Sequence, residues 1–132
     1  MNEKFLSRGK REDTKIWVEG YYFEHNGDYA IVDLNDRYNG VIPETVGRYT
    51  SLTDKNGKMI FEGDRVRVLM HKVGETPNYM TGFVEWINGA FSVTWDDTQF
   101  GRHFVGYLEN IEIIGNIHDN PELLKEAAQN GG

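Results

Sequence analysis

Four internal Asn-Gly pairs punctuate the chain, at Asn26-Gly27, Asn39-Gly40, Asn56-Gly57 and Asn88-Gly89. Asn-Gly suits the two-residue turns that close hairpins, because both residues tolerate positive φ. Between these marks run short stretches rich in aromatic and β-branched residues. That grammar predicts a mainly β, antiparallel protein.

The last pair fixes a register. With Asn88-Gly89 as the turn, Ile87 faces Ala90, Trp86 faces Phe91, Val84 faces Val93 and Gly82 faces Trp95. One face of the hairpin is then apolar or glycine throughout. The other pairs Glu85 with Ser92 and Phe83 with Thr94, and is mostly polar. A one-residue slip would mix the two sets, so the register is strongly specified. On this pattern Trp86 and Trp95 belong to the floor of a core, and Phe83 is the ring left for contact with a partner.

Asn26-Gly27 predicts a ribbon of Trp17–Glu24 against Tyr29–Leu34, with Tyr22 opposite Ile31 and Tyr21 opposite Val32. Rings fall on both of its faces, so it needs cover on both sides, from the rest of the chain or from another copy. Asn39-Gly40 follows the polar run Asp33–Asn39 and is expected in a loop.

Residues 48–68 carry the Asn56-Gly57 turn and then Glu62-Gly63-Asp64, which launches the alternating run Asp64-Arg65-Val66-Arg67-Val68. Val66, Val68 and Met70 should point inward. The polar segment 71–81 reads as a long connection, and it places Tyr79 and Met80 as further contact candidates. Ile111–Ile114 supplies a last strand. Asp119 or Asn120, Pro121 and Glu122 then form a helix start, followed by the stripe Leu123, Leu124, Ala127, Ala128.

The phrases Thr53-Asp54-Lys55-Asn56-Gly57-Lys58-Met59-Ile60-Phe61-Glu62-Gly63-Asp64 and Ile114-Gly115-Asn116-Ile117, with Asn120-Pro121-Glu122-Leu123-Leu124 after it, resemble the YopX family. These are small proteins encoded by bacteriophages and prophages. The resemblance spans the C-terminal two thirds well and the N-terminal third only faintly. It implies an SH3-like β-barrel in the C-terminal part, and brings no activity and no catalytic residues. The expected organisation is an antiparallel β region over 1–47, then the barrel with its C-terminal helix over 48–132.

Chemistry finds little purchase. The chain has no cysteine, which removes disulfides, thiolate nucleophiles and Cys-type zinc sites. Its four histidines, His25, His71, His103 and His118, are scattered, and none forms the i, i+4 pair of a zinc protease. A metal site from His103, Asp96 and Asp97 is the weaker alternative to a solvated turn. The run Asp33–Glu44 fails as a calcium loop, because Arg37 stands where an oxygen ligand is needed and Tyr38 where glycine must bend. No phosphate-cradling loop occurs. No catalytic residue, metal or cofactor is therefore expected, and no small-molecule substrate.

Charge bears on the partner. Residues 1–15 carry five basic and three acidic side chains, within a chain of net charge −7. Lys4, Arg8, Lys10, Arg11 and Lys15 form a short basic arm on an acidic body, which disfavours non-specific phosphate binding. The reading is a cytoplasmic, non-enzymatic module that binds a protein partner or itself, with Phe83, Tyr79, Met80, Tyr21 and Tyr22 as contact residues. The alternative is a nucleic-acid-associated protein, or an acidic mimic of DNA. No apolar run approaches the roughly 20 residues that span a bilayer.

Overall fold

The structure, a computed structural model, describes residues 5–74 and 76–119. The chain divides into two compact units, Met1–Ser51 and Leu52–Gly132. The described strands are β1 (Ser7–Lys10), β2 (Trp17–His25), β3 (Asp28–Asp33), β4 (Tyr38–Gly40), β5 (Gly47–Thr53), β6 (Met59–Phe61), β7 (Asp64–Val73), β8 (Thr76–Ile87), β9 (Ala90–Trp95), β10 (Arg102–Phe104) and β11 (Ile111–Asn116). They form two antiparallel sheets, of order β4-β3-β2-β1-β5-β6 and β10-β9-β8-β7-β11. The helix predicted beyond Asp119 lies outside the described residues.

In the first unit the Asn26-Gly27 turn forms as expected, with φ of 54° and 83°. Tyr22 pairs with Ile31 and Tyr21 with Val32. Ile31 is fully buried, and its side chain lies near Gly9, where a Cβ would stand 3.2 Å from the Ile31 methyl. Glycine is required more strictly at Gly20, whose Cβ would fall 2.1 Å from the Val32 carbonyl oxygen. Asn39-Gly40 corrects the sequence reading, because it lies in a strand and not a loop. The buried Asn39 side chain donates to the carbonyls of Ile31 and Arg37, which makes a polar residue at home beside β3.

In the second unit the Asn56-Gly57 turn is held by Asp54, whose carboxylate accepts from the backbone N–H groups of Asn56 and Lys58. Gly63, at φ 90°, supplies the bend into β7, and the Asp64 carboxylate accepts from the Phe61 N–H. Val66 and Val68 are buried and Met70 packs beside them, as the alternation requires. The core gathers Ile60, Val66, Val68, Val84, Val93, Trp95, Val105 and Ile111. The β8–β9 register matches the sequence prediction pair for pair.

The segment 71–81 is corrected. Instead of a long connection, β7 and β8 run on as a paired arm with Val73 opposite Thr76. At the base of this arm Met80 packs against the core. The second sheet is also open as described: β10 and β11 lie at its two edges and pair only with β9 and β7.

Candidate functional site

The register sorts the second sheet into two faces. Trp95 is 2% exposed, and its indole N–H donates to His103 Nδ1 at 2.6 Å. Trp86, expected beside it, is 43% exposed. The reason is where β7 stops pairing: its ladder with β8 ends at Arg65 opposite Phe83. Beyond that point Trp86 keeps Phe91, edge to face at 4.7 Å. Phe83 departs from expectation in the opposite sense and is only 7% exposed. The Arg65 guanidinium lies 4.9 Å from the centre of its ring, so a cation roofs the ring that sequence alone left open.

Tyr79 and Met80, in contrast, line a shallow depression of about 360 Å³ with Asn78, Thr81, Asp96, Asp97 and Phe100. Strand β8 carries one wall. The turn after β9, a single 3-10 turn over Thr98–Phe100, carries the other. The Phe100 N–H donates to the Asp97 carbonyl at 3.1 Å, which sets the end of that turn. Tyr79 is 49% exposed and Phe100 52%.

The two acids in this depression differ. Asp96 is held by Arg65 through two parallel bonds, Nη1 to Oδ1 at 3.0 Å and Nη2 to Oδ2 at 2.5 Å, and it also accepts from the Thr81 hydroxyl. Asp97 accepts only longer bonds, at 3.2 and 3.3 Å, from the backbone and side chain of Gln99. Among the described residues no cation is bonded to it. Beside the depression, the Arg67 guanidinium lies 5.1 Å from the Tyr79 ring centre and bonds Glu112 at 2.6 Å. Lys55 reaches the same carboxylate at 3.0 Å. The bond from Lys55 is the main force holding the Glu112 carboxyl below its ordinary range.

Such a surface can take an apolar or aromatic side chain between its rings, next to a carboxylate not engaged by a cation. Phe100 was missed in the sequence, although a ring directly after the Asp96-Asp97 turn was the available signal. Tyr21 and Tyr22 belong to the first unit. Tyr22 stacks on Tyr29 at 6.4 Å, and burial raises its phenol pKa. Tyr21 shares a face with Phe23, whose ring meets Tyr38 at 5.8 Å.

The other candidates disperse. Arg8 and Lys10 of the basic arm are drawn over the Trp17 ring, at 4.7 and 5.4 Å, and Arg11 pairs with Asp13. His103 turns to Trp95 while Asp96 turns to Arg65, so the imagined metal trio does not converge. Among the described residues, no group of three His, Cys, Asp or Glu stands close enough to hold a metal ion. Nor is any helix there long and apolar enough to cross a membrane.

Three comparisons complete the description. The family model described as YopX protein matches residues 3–125. The X-ray crystal structure of protein YopX from Bacillus subtilis aligns with a TM-score of 0.53 at 21% identity, covering 92% of this chain and 96% of that one. At that identity the likeness concerns the fold. No curated protein matches the chain.

Proposed function

The chain belongs to the YopX family, and from that premise we propose that it is a non-enzymatic accessory protein of phage or prophage origin. It works in the cytoplasm of a bacterial host by binding another protein. The observation that carries this reading is the pair of half-exposed rings, Tyr79 and Phe100, facing one depression with Met80 and Asp97. Exposed aromatic rings beside a half-buried thioether around a concavity match the composition of an interface centre.

On this reading the second unit serves as an SH3-like barrel. Its strands β7, β8, β9 and β10 follow one another as a meander. After the 3-10 turn Val105–Tyr107, β11 returns beside β7, which is the strand order of such barrels.

A photo-reactive residue placed at Tyr79, with the same residue at Asp28 as control, tests the proposal in the host cell. A defined adduct with a host or phage protein at position 79, lost on Phe100→Ala, is expected. Equal labelling at both positions, or none at 79, would overturn it.

A further inference from the structure

The two edges of the second sheet are not alike. On β11, the Ile111 carbonyl accepts from the Lys55 N–H at 2.8 Å, and the Ile113 N–H donates to Asp54 at 3.1 Å. That edge is covered. On the opposite edge, among the described residues, β10 pairs only inward, as Arg102–Thr94, His103–Val93 and Phe104–Ser92. The Trp95 N–H donates to the Gly101 carbonyl at 3.0 Å. Antiparallel ladders alternate bonded and non-bonded pairs. His103 therefore directs its backbone groups at β9, while Arg102 and Phe104 direct theirs outward. Residues 101–104 are all exposed.

We propose that this edge pairs with the same edge of a second copy, antiparallel, about a two-fold axis through His103. In that register Arg102 faces Phe104 of the second copy, and Phe104 faces its Arg102. Each of these pairs presents two outward N–H groups and two outward carbonyls, so four backbone hydrogen bonds close across the dyad.

The side chains agree with the backbone. Arg102 and Phe104 lie on one face of the strand, so each guanidinium comes to rest against a phenyl ring of the other copy. The same sheet already contains this arrangement: Arg65 and Phe83 are cross-strand partners, with the cation 4.9 Å from the ring centre. Tyr107, 82% exposed and 5.8 Å from Phe104, extends the apolar margin of the contact. A three-residue strand bearing an arginine is also how natural edges restrain open-ended pairing. The expected dimer is accordingly weak and two-fold. It does not depend on the Tyr79 depression.

Cysteine scanning tests it cleanly, because the chain has no cysteine of its own. In a non-hydrogen-bonded pair on the dyad, two residues at position 103 have Cα atoms about 4.5 Å apart, within disulfide range. Residues at 102 meet their own copies only diagonally, at roughly 7–8 Å, which is beyond it. His103→Cys should therefore form a disulfide-linked dimer under mild oxidation, and Arg102→Cys should not.

Phe104→Pro supplies the converse. Its φ of −61° already suits proline, and its N–H lies outside the β9 ladder. Sedimentation velocity at high concentration should show self-association of the native chain, reduced several-fold by Phe104→Pro. Phe104→Lys, which sets a cation against Arg102 of the other copy, should reduce it as well. A native chain that stays monomeric, equal cross-linking at 102 and 103, or association unchanged in both Phe104 variants would overturn the pairing. Loss of the adduct at position 79 would leave it standing.

Discussion

The Asp54 carboxylate accepts a hydrogen bond from the Ile113 N–H at 3.1 Å, tying a hairpin turn to a strand 59 residues further along the chain. Its other oxygen accepts from Asn56 and Lys58, both at 2.9 Å. One buried side chain thus closes the β5–β6 turn and seals the edge of the second sheet.

Removing it should be costly. Asp54→Ala leaves three donors without their acceptor, and a loss of about 3 kcal/mol is expected in urea denaturation at pH 7. Asp54→Asn keeps one carbonyl oxygen but can turn an amide N–H against the Ile113 N–H, so it should recover only part of that loss. Burial opposes ionisation of Asp54, yet the bonds from Ile113, Lys58 and Asn56 outweigh it and hold the carboxyl below its ordinary value. A depressed carboxyl contributes its stability above the ordinary carboxyl range and loses it as pH falls through the depressed value. The gap between native and Asp54→Ala proteins should therefore narrow at acid pH, as denaturation at pH 7 and pH 3 would reveal.

Gly82 stands opposite Trp95, and a Cβ there would fall 2.4 Å from the Thr94 carbonyl oxygen and 2.8 Å from a Val93 methyl. The nearer obstacle is backbone and cannot rotate away. Gly82→Ala is expected to cost about 3 kcal/mol through overpacking. Gly89→Ala meets nothing within 4 Å and pays only for its φ of 84°, roughly 1–2 kcal/mol. Thermal unfolding of the two variants should show that order clearly; a reversed order would mean that the strands can separate at Gly82.

Asn39 provides a third measurement. Its Nδ2 donates to Ile31 and Arg37 carbonyls at 3.2 and 3.0 Å and to the Asp33 carboxylate at 3.1 Å. Asn39→Ala should cost about 2 kcal/mol, chiefly by leaving the buried Ile31 carbonyl without its donor. Asn39→Asp puts an acid among three acceptors, where only its protonated form can donate. Its deficit should grow as pH rises from 4 to 7, because here the ionised acid is the unfavourable form, whereas at Asp54 the ionised native acid is the stabilising one.

What the sequence disclosed was mostly local. The Asn26-Gly27 and Asn88-Gly89 turns carry their own backbone preference, and alternation then sets every pairing in the two hairpins. Burial was less legible, because it depends on strands far away in sequence. Phe83 is covered by Arg65, and Trp86 is bared because β7 stops short of it. The arm over 71–78 left no apolar alternation to read. Asn39 looked like a loop residue because two of its three partners are backbone carbonyls, which no side-chain pattern records. Of the depression, Tyr79 and Met80 were legible and Phe100 was not.

The Arg65–Asp96 pair separates fold from binding within that depression. Both side chains are mostly buried, and the fork geometry is bidentate. Removing either partner leaves the other charge poorly solvated, and Arg65→Ala or Asp96→Ala should each cost roughly 2–3 kcal/mol, somewhat below the loss expected for a fully buried pair. Arg65→Ala also unroofs Phe83, so it should be the more damaging of the two. Replacing both partners with apolar residues, Arg65→Met with Asp96→Leu, removes the stranded charge and should cost less than the two single losses combined. Asp97→Ala gives up only its bonds to Gln99 and should stay within about 0.5 kcal/mol of the native chain. It should nevertheless weaken the adduct formed at Tyr79. A double-mutant cycle in urea, read beside the cross-linking yield of each variant, would show whether Asp96 serves the fold while its neighbour serves the partner.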